Sequence, residues 1–191
     1  MLAPPPAKLA NFPRRTLRGT TRLLRIHPND LGPWWFSSEG HGRFDLAPPN
    51  GTCYVALSPL GAFVEVFRGF TIVDSADVAE RALSRLHVPQ DVVLADCTSP
   101  RARRFGVTGE IHSSADYIAT QGWAEALRGA GFAGVRYFCG QDPAQREVGV
   151  ALFGAAGEAE WPIAETTPIA EEVLRAVERR FGIHILPTPW R

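Results

Sequence analysis

The chain has 191 residues, of which 45% are hydrophobic, and its 20 basic and 20 acidic residues give a formal net charge of zero at pH 7. This length is sufficient for one domain with a substantial core, and a second domain is not expected. The neutral balance argues against direct binding of nucleic acid or of an anionic membrane surface, and no apolar run approaches the roughly 20 residues of a membrane span.

The cysteines and histidines argue against a disulfide-stabilised secreted protein and against a metalloprotein. Cys53, Cys97 and Cys139 are scattered and form no Cys-x-x-Cys pair, a pattern typical of a reducing compartment. No histidine pair has metal-ligand spacing, so we expect no metal site. The proline-rich first ten residues lack the apolar centre of a signal peptide. We therefore expect a cytoplasmic protein.

The first part of the chain is irregular in composition. Residues 1–16 are rich in proline and predict an arm without regular structure. Residues 21–26 predict a first strand. Residues 28–49 are turn-rich and contain Trp34, Trp35, Phe36 and Phe44, a combination typical of a functional loop. These rings either wall a ligand pocket or pack against the core, and the sequence leaves both readings open.

The next segment places one acidic residue at an unusual position. Residues 52–57 predict a strand, and Ser58-Pro59 predicts the start of a helix that extends to about residue 68. The apolar residues of this helix fall on one stripe, whereas Glu65 points elsewhere, toward the edge of a cleft. The remaining predictions are a strand at 70–74, a helix from Ser75 to about 86, a central strand at 92–97, a helix from Ser113 or Ser114 to Gly131, a strand pair at 134–138 and 148–153, and a last helix with Thr167-Pro168 at its start.

Four residues between positions 25 and 65 form the candidate site. A carboxylate between large apolar residues, such as Glu65, is costly to bury unless cations or hydrogen-bond donors meet it, and Arg25 and Arg43 are the natural candidates. Guanidinium groups bind phosphate oxygens, and the ring of Tyr54 suits a flat heterocycle. A carboxylate stabilises positive charge on a sugar. The combination suits cleavage of the glycosidic bond of a dinucleotide.

Seven short motifs, taken in order, resemble those of the RES-domain proteins. They are Leu-Leu-Arg-Ile-His-Pro, Gly-Arg-Phe-Asp, Cys-Tyr-Val-Ala, Ala-Phe-Val-Glu-Val, Gly-Trp-Ala-Glu-Ala-Leu, Gly-Phe-Ala-Gly-Val-Arg-Tyr and Gly-Val-Ala-Leu-Phe, within about residues 17–154. The resemblance implies a single α+β domain with a mixed, twisted sheet and flanking helices, related in fold to the ADP-ribosyltransferases. We expect residues 1–16 to precede it as an arm and residues 155–191 to follow as a linker and helix.

The resemblance also implies roles for individual residues. Arg25, Arg43, Tyr54 and Glu65 match catalytic positions of the family, and Arg25, Arg43 and Tyr54 would also bind the substrate. The serine of the family falls on Cys139, which would contact the substrate less well because a thiol is a weaker hydrogen-bond donor than a hydroxyl. Ser113 and Ser114 are alternative sources of a hydroxyl.

The implied function is that of a toxin that depletes NAD by cleaving the nicotinamide–ribose bond, as a glycohydrolase or as a phosphorylase that uses inorganic phosphate. No cofactor is implied beyond NAD as substrate. The implied partner is an Xre-type antitoxin, and a homodimer stays open. Two alternatives are an ADP-ribosyltransferase that acts on a protein and a non-catalytic RES-like binding module.

Overall fold

An eight-stranded mixed sheet organises the chain in the computed structural model, which describes residues 2–187. Its strands, in spatial order, are β1 (Arg14–Leu17), β7 (Val92–Asp96), β8 (Gly134–Phe138), β9 (Val148–Ala155), β4 (Asn50–Ala56), β2 (Leu23–Pro28), β6 (Arg81–Leu86) and β11 (Ile163–Pro168). Within this sheet β7 and β8 are parallel and the other neighbours are antiparallel. The predicted α+β class with a mixed sheet is confirmed.

Short strands and helices complete the domain. Two small pairs lie outside the main sheet, one between β3 (Trp35–Phe36) and β10 (Gly157–Glu158) and one between β5 (Ile72–Asp74) and β12 (His184–Leu186). The helices are α1 (Pro59–Val66), α2 (Ser75–Ala79), α3 (Glu110–Ser113), α4 (Tyr117–Gly129) and α5 (Glu171–Phe181), with a 3₁₀ helix at Pro100–Phe105.

The hydrophobic residues divide between the two faces of the sheet. On one face α4 contributes Trp123 and Leu127 to one cluster, and α1 contributes Phe63 to a neighbouring cluster that α5 also covers. On the other face Trp34 and Phe36 pack in a third cluster. Because successive side chains of a strand point to opposite faces, each central strand supplies both sides of this core.

Two predicted helices are shorter in the structure than expected. The helix expected from Ser75 to about residue 86 ends at Ala79, and Arg81–Leu86 form a strand instead. That strand hydrogen-bonds to neighbours on both sides, β2 and β11, and this pairing outweighs the helix propensity of its residues. The long helix begins at Tyr117 rather than near Ser114, because the Asp116 carboxylate caps it by accepting from Ala119 N at 3.2 Å.

Both ends of the described chain contribute to the fold more than their composition indicated. Residues 14–17 pair with β7 as an edge strand, in contrast to the irregular arm expected there. Phe12 is 1% exposed and contacts the rings of Phe105, Trp123 and Phe132. At the other end, Thr167 and Pro168, which were expected to start the last helix, belong to β11, because they pair with β6 and extend the sheet. Helix α5 begins at Glu171 and packs against α1 through the cluster they share.

Candidate active site

A cavity opens where β2 and β4 separate. Within residues 2–187 these strands are paired at one position, Leu24 opposite Ala56, so the sheet parts beside it. The cavity has a volume of about 260 Å³. Residues from both strands, the 37–45 loop, α1 and the turn after β8 line it: Leu24, Arg25, Ile26, Ser37, His41, Gly42, Arg43, Asp45, Tyr54, Val55, Ala56, Ala62, Glu65, Val66, Arg68, Gly140 and Gln141. Arg25, Arg43, Tyr54 and Glu65 therefore lie on one cavity.

Helix α1 presents Glu65 to this cavity. Ser58 caps the helix by accepting from Gly61 N at 2.9 Å, and Pro59 occupies the first helical position. The preceding Phe63 and Val64 are buried in the cluster below α1. Glu65 thus leaves the apolar stripe and remains partly exposed at the cavity, as the sequence pattern predicted.

Two neutral donors and two cations surround the Glu65 carboxyl. The Tyr137 hydroxyl donates to Glu65 Oε2 at 3.0 Å, and the Cys139 thiol also lies near the carboxyl. Burial raises the pKa of Glu65, while these donors and the guanidiniums of Arg43 and Arg68 act in the opposite direction. The carboxyl is therefore held in place in a poorly hydrated site, where its ionised form would interact more strongly with a positive charge.

Tyr54 fixes the 42–45 loop at the cavity wall. Its hydroxyl donates to Asp45 Oδ1 at 2.9 Å and accepts from Phe44 N at 2.7 Å. Gly42 N donates to Asp45 Oδ2 at 3.0 Å, and a Cβ at Gly42 would lie 2.2 Å from Asp45 Oδ1. Burial, followed by the Asp45 carboxylate, raises the pKa of Tyr54 well above its ordinary value. The Tyr54 hydroxyl is thus a structural donor, and its ring borders the cavity.

Arg43 reaches from this loop to the start of α4. Its Nη1 donates to the Ser114 carbonyl, and its guanidinium carbon lies 5.3 Å from the centroid of the Tyr117 ring. A Cβ at Gly140 would lie 3.4 Å from Arg43 Nη2 and 2.3 Å from the His112 carbonyl oxygen, so this close approach requires glycine. Arg43 is the predicted arginine whose charge acts on Glu65.

The side chain of Arg25 makes its hydrogen bonds on the other side of the gap between β2 and β4. Its neighbours in β2, Leu24 and Ile26, pack toward α1, so strand alternation directs Arg25 to the face that holds Cys53. Arg25 Nη1 donates to the Pro33 carbonyl at 2.6 Å, to the Trp35 carbonyl at 3.1 Å and to Cys53 Sγ at 2.8 Å. Arg25 thus lines the cavity while anchoring the loop before β3.

Cys139 lies behind the cavity. It is 1% exposed and packs in the cluster below α1, and its neighbours Gly140 and Gln141 line the cavity instead. Burial raises the pKa of the thiol far above its ordinary value, with the Glu65 carboxylate as the next cause. The thiol is therefore neutral, and its hydrogen bond goes to the Gly61 carbonyl oxygen at 4.0 Å.

Three of the four aromatic residues of the 28–49 segment, Trp34, Phe36 and Phe44, belong to the core, whereas Trp35 is 43% exposed. Trp34 and Phe36 are each 1% exposed and contact the Trp161 ring on the far face of the sheet. Of the two readings that the sequence left open, packing is the one observed for these rings. The sequence reasoning also missed Asp45, Arg68 and Tyr137, of which Asp45 and Tyr137 stand within quoted motifs.

A buried ionic network holds the turn after β8 and the start of α1. The Ser58 hydroxyl donates to Glu147, and Arg180 of α5 lies 2.5 Å from Glu147 Oε1 and 3.4 Å from Asp142 Oδ2. Burial by itself would raise the pKa of Asp142. Backbone N–H groups, first that of Glu147, and the Arg180 guanidinium outweigh this effect and bring the pKa below its ordinary value. Helix α5 thus braces the element that carries Glu65.

The matched RES domain covers residues 22–171, which is most of the chain. The chain belongs to the RES-domain family. The MbcT toxin in the crystal structure of the M. tuberculosis MbcT-MbcA toxin-antitoxin complex has a similar fold, with a TM-score of 0.64 and 17% sequence identity over 86% of this chain and 92% of that chain. None of the curated proteins matches this RES protein.

Residues 2–187 contain no group of three or more His, Cys, Asp and Glu side chains placed to hold a metal ion. No helix in that range has the length and apolar character that crossing a membrane requires.

Proposed function

We propose that this RES protein is the toxin of a toxin–antitoxin pair and that it cleaves the nicotinamide–ribose bond of NAD. The observation that carries the proposal is one partly exposed carboxylate, Glu65, on a cavity with the guanidiniums of Arg43 and Arg68. A cation-rich wall attracts a diphosphate, and a poorly hydrated carboxylate stabilises positive charge that develops on a ribose.

In the proposed reaction the nicotinamide riboside half of NAD enters the cavity and stacks near Tyr54. The C1–N bond of the ribose breaks with its electron pair going to the nicotinamide nitrogen, so the leaving group departs neutral and needs no proton. Glu65 stabilises the oxocarbenium-like ribose and orients the water or phosphate whose oxygen forms the new bond to C1; an attacking water releases one proton to Glu65 or to solvent as this bond forms. Tyr137 positions Glu65 by hydrogen bonding.

The size of the cavity supports partial entry. Pockets that enclose a drug-sized ligand have roughly 300–1,000 Å³, whereas this cavity has about 260 Å³. We expect the nicotinamide riboside half to enter the cavity and the diphosphate and adenosine to remain at or beyond the mouth. Arg25 supports this arrangement indirectly, because its hydrogen bonds hold the wall formed by the loop before β3.

The test follows NAD and its products by chromatography with purified protein, with and without inorganic phosphate. We expect nicotinamide with ADP-ribose for hydrolysis, or with phosphorylated ADP-ribose for phosphorolysis. Glu65→Gln should abolish the loss of NAD, and Glu172→Gln, at an exposed position of α5, is the matched control. NAD left intact by the wild type, or full activity of Glu65→Gln, would refute the assignment. Intact-mass analysis of candidate target proteins would reveal transfer of ADP-ribose instead.

The proposed partner is a cytoplasmic antitoxin. MbcT forms a complex with the antitoxin MbcA, and the Xre-type partner implied by the family motifs belongs to the same proposal. Expression of this RES protein should arrest growth with falling NAD. Co-expression of a helix-turn-helix protein encoded beside it should relieve the arrest, and arrest that persists with unchanged NAD would count against the proposal.

A further inference from the structure

Arg68 lies at the mouth of the cavity, just beyond the end of α1. It is an exposed residue that lines the cavity, and its guanidinium is among the causes that act on the pKa of Glu65. Its Nη1 donates to the Tyr117 hydroxyl at 3.0 Å and its Nη2 to the His41 carbonyl at 3.3 Å, both at exposed positions. Hydrogen bonds in contact with water are exchanged at little cost in free energy.

Two guanidiniums share the Tyr117 ring. The guanidinium carbon of Arg68 lies 5.7 Å from the ring centroid and that of Arg43 lies 5.3 Å from it. Each guanidinium has five N–H donors in a planar fork that suits phosphate oxygens. Glu39, the acidic residue beside His41, has its Oε2 3.5 Å from His41 Nδ1. The Nη1 of Arg25, in contrast, donates to acceptors on the other side of the gap between β2 and β4.

We infer that Arg68 and Arg43, which share the Tyr117 ring at the mouth of the cavity, form the binding site for the diphosphate of the substrate. This inference rests on the proposed function for the identity of the substrate. On binding, the diphosphate replaces the Tyr117 hydroxyl and the His41 carbonyl as the partner of Arg68. Arg68 is thus a substrate-binding residue that favours dinucleotides over nucleosides, and Glu65 acts on the ribose deeper in the cavity.

The experiment compares Arg68→Gln with the wild type on NAD and on nicotinamide riboside, which has no phosphate. We expect the KM for NAD to rise about tenfold, because the diphosphate loses one charged hydrogen-bond partner. The kcat should change little. The kcat/KM for nicotinamide riboside should fall much less than that for NAD, because this substrate has no diphosphate for Arg68 to bind. Arg68→Lys keeps the charge without the planar fork, so its KM for NAD should lie between those of the wild type and Arg68→Gln. Arg104→Gln, at an exposed position of the 3₁₀ helix, is the control.

A second measurement separates this inference from the proposed function. Calorimetric titration with inorganic pyrophosphate should detect binding to the wild type and about tenfold weaker binding to Arg68→Gln. If the wild type leaves NAD intact but this difference is seen, the proposed function fails and the anion site stands. An unchanged KM for NAD, equal losses on both substrates, or equal binding of pyrophosphate by both proteins would overturn the inference.

Discussion

His112 should make the protein less stable as the pH falls from about 7.5 to about 4. The side chain is 6% exposed, and its Nδ1 accepts a hydrogen bond from Phe138 N at 3.4 Å, which requires a neutral ring. Burial, with the nearby Arg43 guanidinium as the second cause, lowers the pKa of His112 from 6.5 to about 4, and Asp96 opposes this shift. The folded state therefore binds fewer protons than the unfolded state between these two pH values.

The sign and size of the effect follow from this difference. A depressed histidine pKa stabilises the fold fully above the pKa of the unfolded chain, and the contribution is lost as the pH falls through the folded pKa. At 1.36 kcal/mol for each unit of pKa, the shift from 6.5 to about 4 corresponds to a contribution of ~3 kcal/mol to the free energy of unfolding. That is a large part of the stability of an ordinary domain.

Urea unfolding at a series of pH values measures this contribution. The wild type should lose about 3 kcal/mol more between about pH 7.5 and about pH 4 than His112→Gln, whose amide oxygen also accepts a hydrogen bond but does not titrate. His184→Gln, at an exposed position of β12, controls for the removal of an imidazole. Equal pH dependence in the wild type and His112→Gln would refute the reasoning.

Three further substitutions test the surroundings of Glu65. Tyr137→Phe removes a donor to the carboxylate and should move the acidic limb of kcat/KM for NAD to higher pH; an unmoved profile across the pH range would contradict this role. Cys139→Ser supplies a stronger donor and should raise kcat/KM in initial-rate assays, an expectation that a lower value would disprove. Arg180→Met leaves two buried carboxylates without their cation and should lower the free energy of unfolding by about 3 kcal/mol in urea. A loss below about 1 kcal/mol would show that the network contributes little.

Local patterns in the sequence were sufficient for much of the fold. Ser58-Pro59 predicted the start of α1, because a side-chain cap and a proline act within one turn of helix. The strand pair 134–138 and 148–153 was also predicted, and the structure pairs it in antiparallel register. The prediction for residues 81–86 was wrong because their strand depends on hydrogen bonds to β2 and β11, which no local pattern reveals.

The candidate site divides in the same way. The order of the motifs and the apolar stripe of α1 selected Glu65 and Arg43, and the structure brings both to one cavity. The side chains that surround them come from distant segments: Tyr137, which contacts Glu65, is 72 residues from it in sequence. Arg68 lies outside the motifs, and its position at the mouth of the cavity depends on contacts with His41 and Tyr117.

The amino-acid sequence by itself determined the family, the α+β class and the carboxylate at the cavity edge, because each is encoded by residue order or by helical and strand periodicity. Only the tertiary structure decided which arginines act on Glu65. Arg25 and Arg43 both line the cavity, but the alternation of β2 turns the Arg25 guanidinium to Cys53, whereas the 42–45 loop brings the charge of Arg43 to act on Glu65. Side-chain direction across a split sheet is a property of the assembled strands.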